Sequence, residues 1–179
     1  LSQDLNVMRQ TLILGGLEVV AYNVNRQRSN MKLFEYGSVY RLTEPGTAPD
    51  KLDKVEEHTA FALLVTGADD KSWDSTPAKG NFFMLKGVVD LLLRRIGADI
   101  YMMESVPAPE DLYAEGVTLL MPGSGEQLLT MGTVLPSFAK RTGVKQPVFF
   151  AEISWPALFK LVKRNKVKYS EMPRFPEVR

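Results

Sequence analysis

The 179-residue sequence contains no cysteine and only one histidine, His58. Without cysteine the chain has no disulfide, no thiolate nucleophile and no Cys-ligated zinc site. With one histidine, metal motifs that need two histidines are excluded, and a Ser-His-Asp triad would depend on His58 alone. His58 stands in VEEHTAF, just before a predicted strand, with no ligand or nucleophile partner nearby. We therefore expect it to have a structural or surface role.

Long apolar runs and a strong charge of either sign are also missing. No run approaches the ~18 apolar residues of a membrane span, and no signal-peptide pattern opens the chain. The net charge of +1 gives no overall field that would attract nucleic acid or an anionic membrane. These features predict no membrane partner and are compatible with a cytoplasmic protein.

The spacing of the apolar residues changes along the chain between the period of a helix and the period of a strand. Helices are predicted over 12–25, 81–96, 135–143 and 156–164, with Asn81 as an N-cap. Strands are predicted over 32–42, 59–67, 98–106 and 147–155, with two more around the turn 122–125. Hairpins with helices inserted between them predict an α+β fold, an antiparallel sheet with its helices on one side.

Several motifs have a plain structural interpretation. Gly123-Ser124-Gly125 is followed by neither Lys-Ser/Thr nor a helix, so it predicts a hairpin turn rather than a phosphate loop. Three acidic residues lack the spacing of a calcium loop and indicate a solvated loop: Asp69, Asp70 and Asp74. A basic run near the C-terminus has little aromatic interleaving and favours a solvated helix end: Lys160, Lys163, Arg164, Lys166 and Lys168.

The strand KLFEYGSVYRL, which runs from Lys32 to Leu42, carries the one serious candidate site. Its alternation places Glu35, Gly37 and Arg41 on one face. An arginine in that place could stabilise the charge that develops on an α-phosphate as pyrophosphate leaves. A working site would also need a carboxylate near the adenine, and a glycine-rich strand with a second arginine to cover the purine.

In four stretches, taken in order, the chain resembles the class II synthetase-like core of bacterial phenylalanine–tRNA ligase beta subunits. They are LSQDLNVMRQTLILGGLEVVAYNVNR, KLFEYGSVY, FFMLKGVVDLLLRRIG and MGTVLPSFAKRTGVKQPVFFAEISWPAL. Leu14 replaces the family's usual proline and Leu135 its usual histidine. The resemblance implies an antiparallel class II sheet flanked by helices.

The resemblance also implies a role without catalysis. In this family the alpha subunit activates phenylalanine with ATP and magnesium and transfers it to tRNA, and the beta core pairs with it in an (αβ)2 assembly. No cofactor is expected in the chain itself. We expect residues 1–168 to form the core domain and 169–179 to lead towards an anticodon-binding domain, so that the chain is a fragment of a larger polypeptide.

The expected site is degenerate: Glu35 and Arg41 are remnants of an ATP motif, with no catalytic and no metal-binding residue. Thr43 stands where the resemblance calls for glutamate, and Glu44 comes one position late. Where glycines and an arginine are expected, the chain carries Ile153, Trp155, Pro156, Ala157 and Leu158. We expect these bulky side chains to fill the adenine slot and close the site.

Two alternatives remain open at this point. One is a stand-alone class II adenylating enzyme that uses Arg41 and Glu35, and the missing glycine-rich motif counts against it. The other is an RNA-binding module that uses the basic C-terminal helix, and the weak net charge counts against it.

Three further expectations follow from the sequence. An apolar surface should be exposed towards the alpha subunit, because obligate interfaces resemble a cut core. Gly37 and Gly87 should be packing positions. For Gly87 the reason is that a mid-helix glycine costs about 1 kcal/mol relative to alanine, which a close contact with the sheet would offset.

Overall fold

A computed structural model of the chain describes residues 7–43, 54–68 and 79–164, and the side chains within them as far as residue 162. The helices are α1 (Ile13–Val24), α2 (Phe82–Arg95), α3 (Pro136–Arg141) and α4 (Trp155–Arg164). The strands are β1 (Met31–Leu42), β2 (Val55–Thr66), β3 (Glu104–Pro107), β4 (Tyr113–Leu120), β5 (Gln127–Val134) and β6 (Val148–Ser154). The strands form one sheet in the order β1-β2-β6-β5-β4-β3, and every pairing is antiparallel. The predicted α+β class, an antiparallel sheet flanked by helices, is confirmed.

Helices cover both faces of the sheet, so the expectation of helices on one side is wrong. On one face α2 and α4 pack against alternate residues of β2, β5 and β6, including Val65, Met131 and Ile153. On the other face α1 and α3 pack against the residues between them, including Leu64 and Phe150. The cause is visible in the central strands, since β6 buries apolar side chains in both directions.

Most predicted elements appear within a few residues of their expected ends, with two exceptions. The predicted strand 98–106 is instead a 3-10 turn, Ile100–Met102, followed by the short β3. The strand predicted over 59–67 begins four residues earlier, at Val55, because it pairs with β1 over its whole length. The side chain of Asn81 accepts a hydrogen bond from Met84 N, as expected of an N-cap.

The close contact between a helix glycine and the sheet occurs in α1, at Gly16, and not at Gly87. A Cβ placed on Gly16 would stand 2.9 Å from Leu64 Cδ1, whereas one on Gly87 would meet no atom within 4 Å. The expectation for Gly87 is therefore wrong. Gly37 is confirmed as a packing position, because the Arg9 guanidinium lies directly over it.

Part of the outer edge of β1 is covered by the chain segment that precedes α1. Arg9 O accepts a hydrogen bond from Tyr40 N at 2.8 Å, and Arg9 Nε donates to Ser38 O at 2.8 Å. By alternation along the strand, the peptide groups of Phe34 and Tyr36 also point outward, beyond this cover.

Several predictions lie outside the described residues. They concern the loops that contain Glu44 and the three aspartates, the basic side chains from Lys163 onwards, and the boundary between residues 168 and 169. Within the described ranges, no helix has the length and apolar character needed to cross a membrane.

Candidate functional site

A row of polar side chains crosses the middle of the sheet on the α1 face. Glu152 of β6 pairs in register with Thr130 of β5, and Thr130 pairs with Thr118 of β4. The two threonine hydroxyls lie 2.9 Å apart and both residues are buried. Gln127 donates an amide hydrogen bond to Thr130 Oγ1 at 3.1 Å. Polar groups inside a sheet are costly unless they are hydrogen-bonded, so this row is a defined feature of the fold.

The row lies beneath an open hollow, which we call the polar cleft. It consists of two adjoining parts of about 530 and 210 Å³ that share Arg41, Gln127 and Glu152. The larger part is bounded by the segment before α1, the end of β1, and the turn leading into β4; its remaining lining residues are Gln10, Thr11, Leu42, Pro109, Leu112, Tyr113 and Thr130.

One oxygen of Glu152 connects β6 to the start of α1. Its Oε2 accepts hydrogen bonds from Thr11 Oγ1 and from Leu12 N, each at 2.7 Å. Leu12 is the N-cap residue of α1 and has no capping side chain of its own. Glu152 therefore satisfies a helix-start donor that the local sequence leaves unpaired. None of the described residues donates a hydrogen bond to Oε1.

Tyr113 forms one wall of the cleft. Its ring packs over Gly132, where a Cβ would come within 2.8 Å of Tyr113 Cδ1. The residue is only 6% exposed, and no described residue hydrogen-bonds to its hydroxyl. Burial raises the pKa of the Tyr113 phenol well above its usual value, and the nearby charge of Glu152 raises it further. The hydroxyl is therefore a neutral donor and acceptor at ordinary pH.

The two ATP-motif remnants do not lie in the same hollow. Arg41 lies at the rim of the cleft, exposed, with no ion pair to a described residue. Glu35 is bound by Arg9, whose Nη1 lies 2.7 Å from Glu35 Oε1. It lines a separate apolar hollow beneath α1. The structure thus separates the carboxylate from the arginine with which the sequence grouped it.

The expectation that bulky side chains fill this site is wrong. Ile153, Ala157 and Leu158 are buried in the core on the α2/α4 face, and Trp155 packs against that same core. Because side chains alternate along β6, Glu152 and Ser154 face the cleft instead. The cleft is open, and it lacks ATP-site features because of the residues that line it, not because it is filled.

The opposite face carries a group of aromatic side chains, which we call the aromatic surface. Phe34, Tyr36 and Phe159 are exposed, and Phe61 and Trp155 are half-buried. Tyr36 meets Trp155 edge to face, with ring centroids 5.0 Å apart, and Trp155 meets Phe159 at 5.4 Å. Phe34 is 75% exposed and Tyr36 57%. Large aromatic residues with this much exposure mark a contact surface more often than a free one.

The remaining sequence candidates have structural partners. His58 Nε2 lies 3.2 Å from a Glu56 carboxylate oxygen, and His58 lines the smaller part of the cleft. Lys160 is paired with Glu126 at 2.8 Å. Gly123 and Gly125, both with positive φ, form the β4–β5 hairpin turn as predicted. Among the described residues, no group of three or more His, Cys, Asp or Glu side chains could hold a metal ion.

Sequence reasoning missed the residues that define the cleft: Tyr113, Thr130 and Glu152. Glu152 left a signal, because it is the one charged residue in the otherwise apolar strand VFFAEIS. A charge at the centre of a buried strand indicates a partner or a site. Tyr113 and Thr130 left none, since aromatic and β-branched residues are ordinary in strands.

Comparisons with known proteins agree on one family. Residues 1–155 match the model of the phenylalanyl tRNA synthetase beta chain CLM domain. The whole chain aligns with phenylalanine–tRNA ligase beta subunits, at 34% identity with that of Bacteroides fragilis and 37% with that of Porphyromonas gingivalis. It covers 22% of each of these relatives, about a fifth of their length.

Among solved structures, the chain is similar to the pyrrolysyl tRNA synthetase PylSc of Desulfitobacterium hafniense. The TM-score is 0.62 at 17% identity, covering 87% of this chain and 50% of that one. At this identity the likeness concerns the fold, and it agrees with the class II synthetase fold that the sequence implied.

Proposed function

The chain belongs to the phenylalanyl-tRNA synthetase beta chain family, and on that premise we propose that it is the non-catalytic, synthetase-like core of a phenylalanine–tRNA ligase beta subunit. In this proposal the core supports assembly with the catalytic alpha subunit in an (αβ)2 enzyme. The intact enzyme attaches phenylalanine to its tRNA in the cytoplasm, using ATP and magnesium.

The observation that carries the absence of catalysis is the charge of the polar cleft. Amino-acid activation requires fixed positive charge where the phosphates react. Among the described residues that line the cleft, Arg41 at the rim is the one arginine or lysine, and the carboxylate of Glu152 lies at the centre. The junction of β6 and α4 supplies neither an arginine nor a glycine from Val148 to Val162. A negative centre opposes a bound triphosphate, so the site is unsuited to adenylation.

The aromatic surface supports the assembly role. Phe34 and Tyr36 lie on β1 at the edge of the sheet, and their outward peptide groups continue the same exposed region. Apolar side chains next to open backbone groups form a surface that a partner strand or helix can cover. We propose that the alpha subunit contacts this surface.

ATP–pyrophosphate exchange tests the absence of catalysis. The purified chain should give no exchange above background with phenylalanine and ATP, while an intact bacterial phenylalanine–tRNA ligase serves as the positive control. Exchange by the chain alone that disappears in Arg41→Ala would instead identify a stand-alone adenylating enzyme.

A further inference from the structure

We propose that the polar cleft binds a small primary-ammonium compound, with Glu152 and Tyr113 holding its nitrogen. This inference goes beyond the assembly role and does not rest on it. It concerns a hollow on the α1 face, whereas the aromatic surface lies on the α2/α4 face.

Only one of the two carboxylate oxygens of Glu152 is hydrogen-bonded by the described residues. Oε2 is occupied by Thr11 and Leu12, while Oε1 receives no hydrogen bond from the described residues. Glu152 lines both parts of the cleft. No cation among the described residues forms an ion pair with Glu152. Arg9 is bound to Glu35 and Lys160 to Glu126, and Arg41 lines the same cleft but lies exposed at its rim. A half-buried carboxylate with one oxygen unpaired and no ion pair favours a hydrogen-bond donor that carries positive charge.

Tyr113 supports the proposal independently, through a hydroxyl that is not hydrogen-bonded to a described residue. More than nine-tenths of this residue is buried, yet its hydroxyl has no partner among the described residues. Every described buried side-chain N or O atom that is closed to solvent does have a partner, so the Tyr113 oxygen is reached by solvent, and Tyr113 lines the cleft. Buried hydroxyls are normally hydrogen-bonded, and one left open inside a hollow marks a place for a ligand atom.

Together the two groups define the ligand's chemistry. An ammonium nitrogen has three donors, which can serve Glu152 Oε1 and the Tyr113 oxygen at once. A phosphate or carboxylate placed between Glu152 and Tyr113 would face the charge of Glu152. The one arginine or lysine among the described lining residues, Arg41, lies exposed at the rim. Thr130 contributes little to binding the ammonium nitrogen, because its hydroxyl is already hydrogen-bonded to Gln127 and Thr118. The hollow of about 530 Å³ has room for only a small molecule.

The test uses ethanolamine as the probe, with ethylene glycol as a neutral probe of similar size and inorganic phosphate as an anionic one. Binding to the 179-residue chain is followed by two-dimensional NMR at the backbone amides of residues 113, 130 and 152. Ethanolamine should give saturable shifts with a Kd in the millimolar range, and the two other probes should give none. Absence of saturable shifts with ethanolamine overturns the proposal.

Two variants locate the binding. Glu152→Gln keeps an oxygen for Thr11 and Leu12 but removes the charge, and it should raise the Kd at least tenfold. Tyr113→Phe keeps the ring over Gly132 and should raise the Kd several-fold. The control Glu18→Gln, at an exposed position of α1, should leave the Kd unchanged. An unchanged Kd in both Glu152→Gln and Tyr113→Phe places the probe elsewhere and overturns the proposal.

Discussion

At the residue scale, Tyr113 links the fold to a measurable pH dependence. Burial, with a smaller effect from Glu152, raises the pKa of its phenol. The native state therefore holds this proton more tightly than the unfolded chain, whose tyrosines titrate near pH 10. The stability gained from this difference is fully present below about pH 10 and is lost as the pH rises above it.

We therefore expect the stability difference between wild type and Tyr113→Phe to change with pH in one direction. It should be constant from about pH 7 to 9 and should shift in favour of Tyr113→Phe above about pH 10. Urea unfolding of both proteins across this range measures it. A difference that stays constant up to about pH 11 would show that the phenol titrates alike in both states.

The two helix glycines give a second residue-scale prediction, because one is crowded and the other is open. Gly16→Leu should lower the free energy of unfolding by about 1–3 kcal/mol, since its side chain would collide with Leu64. Gly87→Ala should raise it by about 1 kcal/mol, because the position is mid-helix and open. Chemical denaturation of both variants, compared with wild type, decides this. Destabilisation by Gly87→Ala would show that a side chain at this position does meet neighbouring atoms.

The glycines also show what sequence could not supply at this scale. From the sequence, the close contact with the sheet was expected at Gly87, whereas the structure places it at Gly16. Only the crossing of α1 over β2 and β6 determines which of them approaches the sheet. The ion-pair partner of Glu35 was likewise not predictable from local sequence, because Arg9 is 26 residues away along the chain.

At the element scale, α1 depends on a residue of another element for its start. Glu152 of β6 accepts from Leu12 N, and Leu12 is fully buried. Glu152→Ala should lower the free energy of unfolding by about 1–3 kcal/mol, because it leaves a buried donor unpaired. Glu152→Gln should cost less than about 1 kcal/mol, since its amide oxygen can accept the same bonds.

Thermal and urea unfolding of the two Glu152 variants measure this anchoring. Hydrogen exchange at the first turn of α1 adds a local readout, and it should accelerate in Glu152→Ala alone. Equal stability of Glu152→Ala and wild type would contradict the anchoring role.

Element types were largely predictable because their signals are local. Asn81 before an apolar stripe predicted α2, and the glycines at 123 and 125 predicted the β4–β5 turn. The strand predicted over 98–106 failed because its apolar residues alternate poorly: Ile100 is buried while Tyr101 and Met102 are both exposed. Pairing with β4 begins only at Glu104.

At the scale of the whole molecule, sequence predicted the fold class but not the position of the helices. Hairpins with helices inserted between them had suggested an antiparallel sheet with its helices on one side. The central strand β6 carries apolar residues in both directions, and this decides that both faces are covered. The same alternation directs Trp155 away from the cleft, so the expected closure of the site was wrong.

We propose above all that this core binds the catalytic alpha subunit without performing catalysis. In the proposed assembly, the aromatic surface is the contact. Phe34→Thr/Tyr36→Thr removes its two most exposed rings while keeping residues that favour strands. Tyr22→Thr is the matched control, because Tyr22 is an exposed aromatic residue on α1, across the sheet.

The most direct measurement is a sedimentation-velocity titration of the chain with a recombinant phenylalanine–tRNA ligase alpha subunit. We expect a saturable complex with wild type and with Tyr22→Thr. For Phe34→Thr/Tyr36→Thr we expect an affinity at least tenfold weaker, which is about 1.4 kcal/mol or more. No complex with wild type at concentrations where the full-length beta subunit binds would contradict the claim.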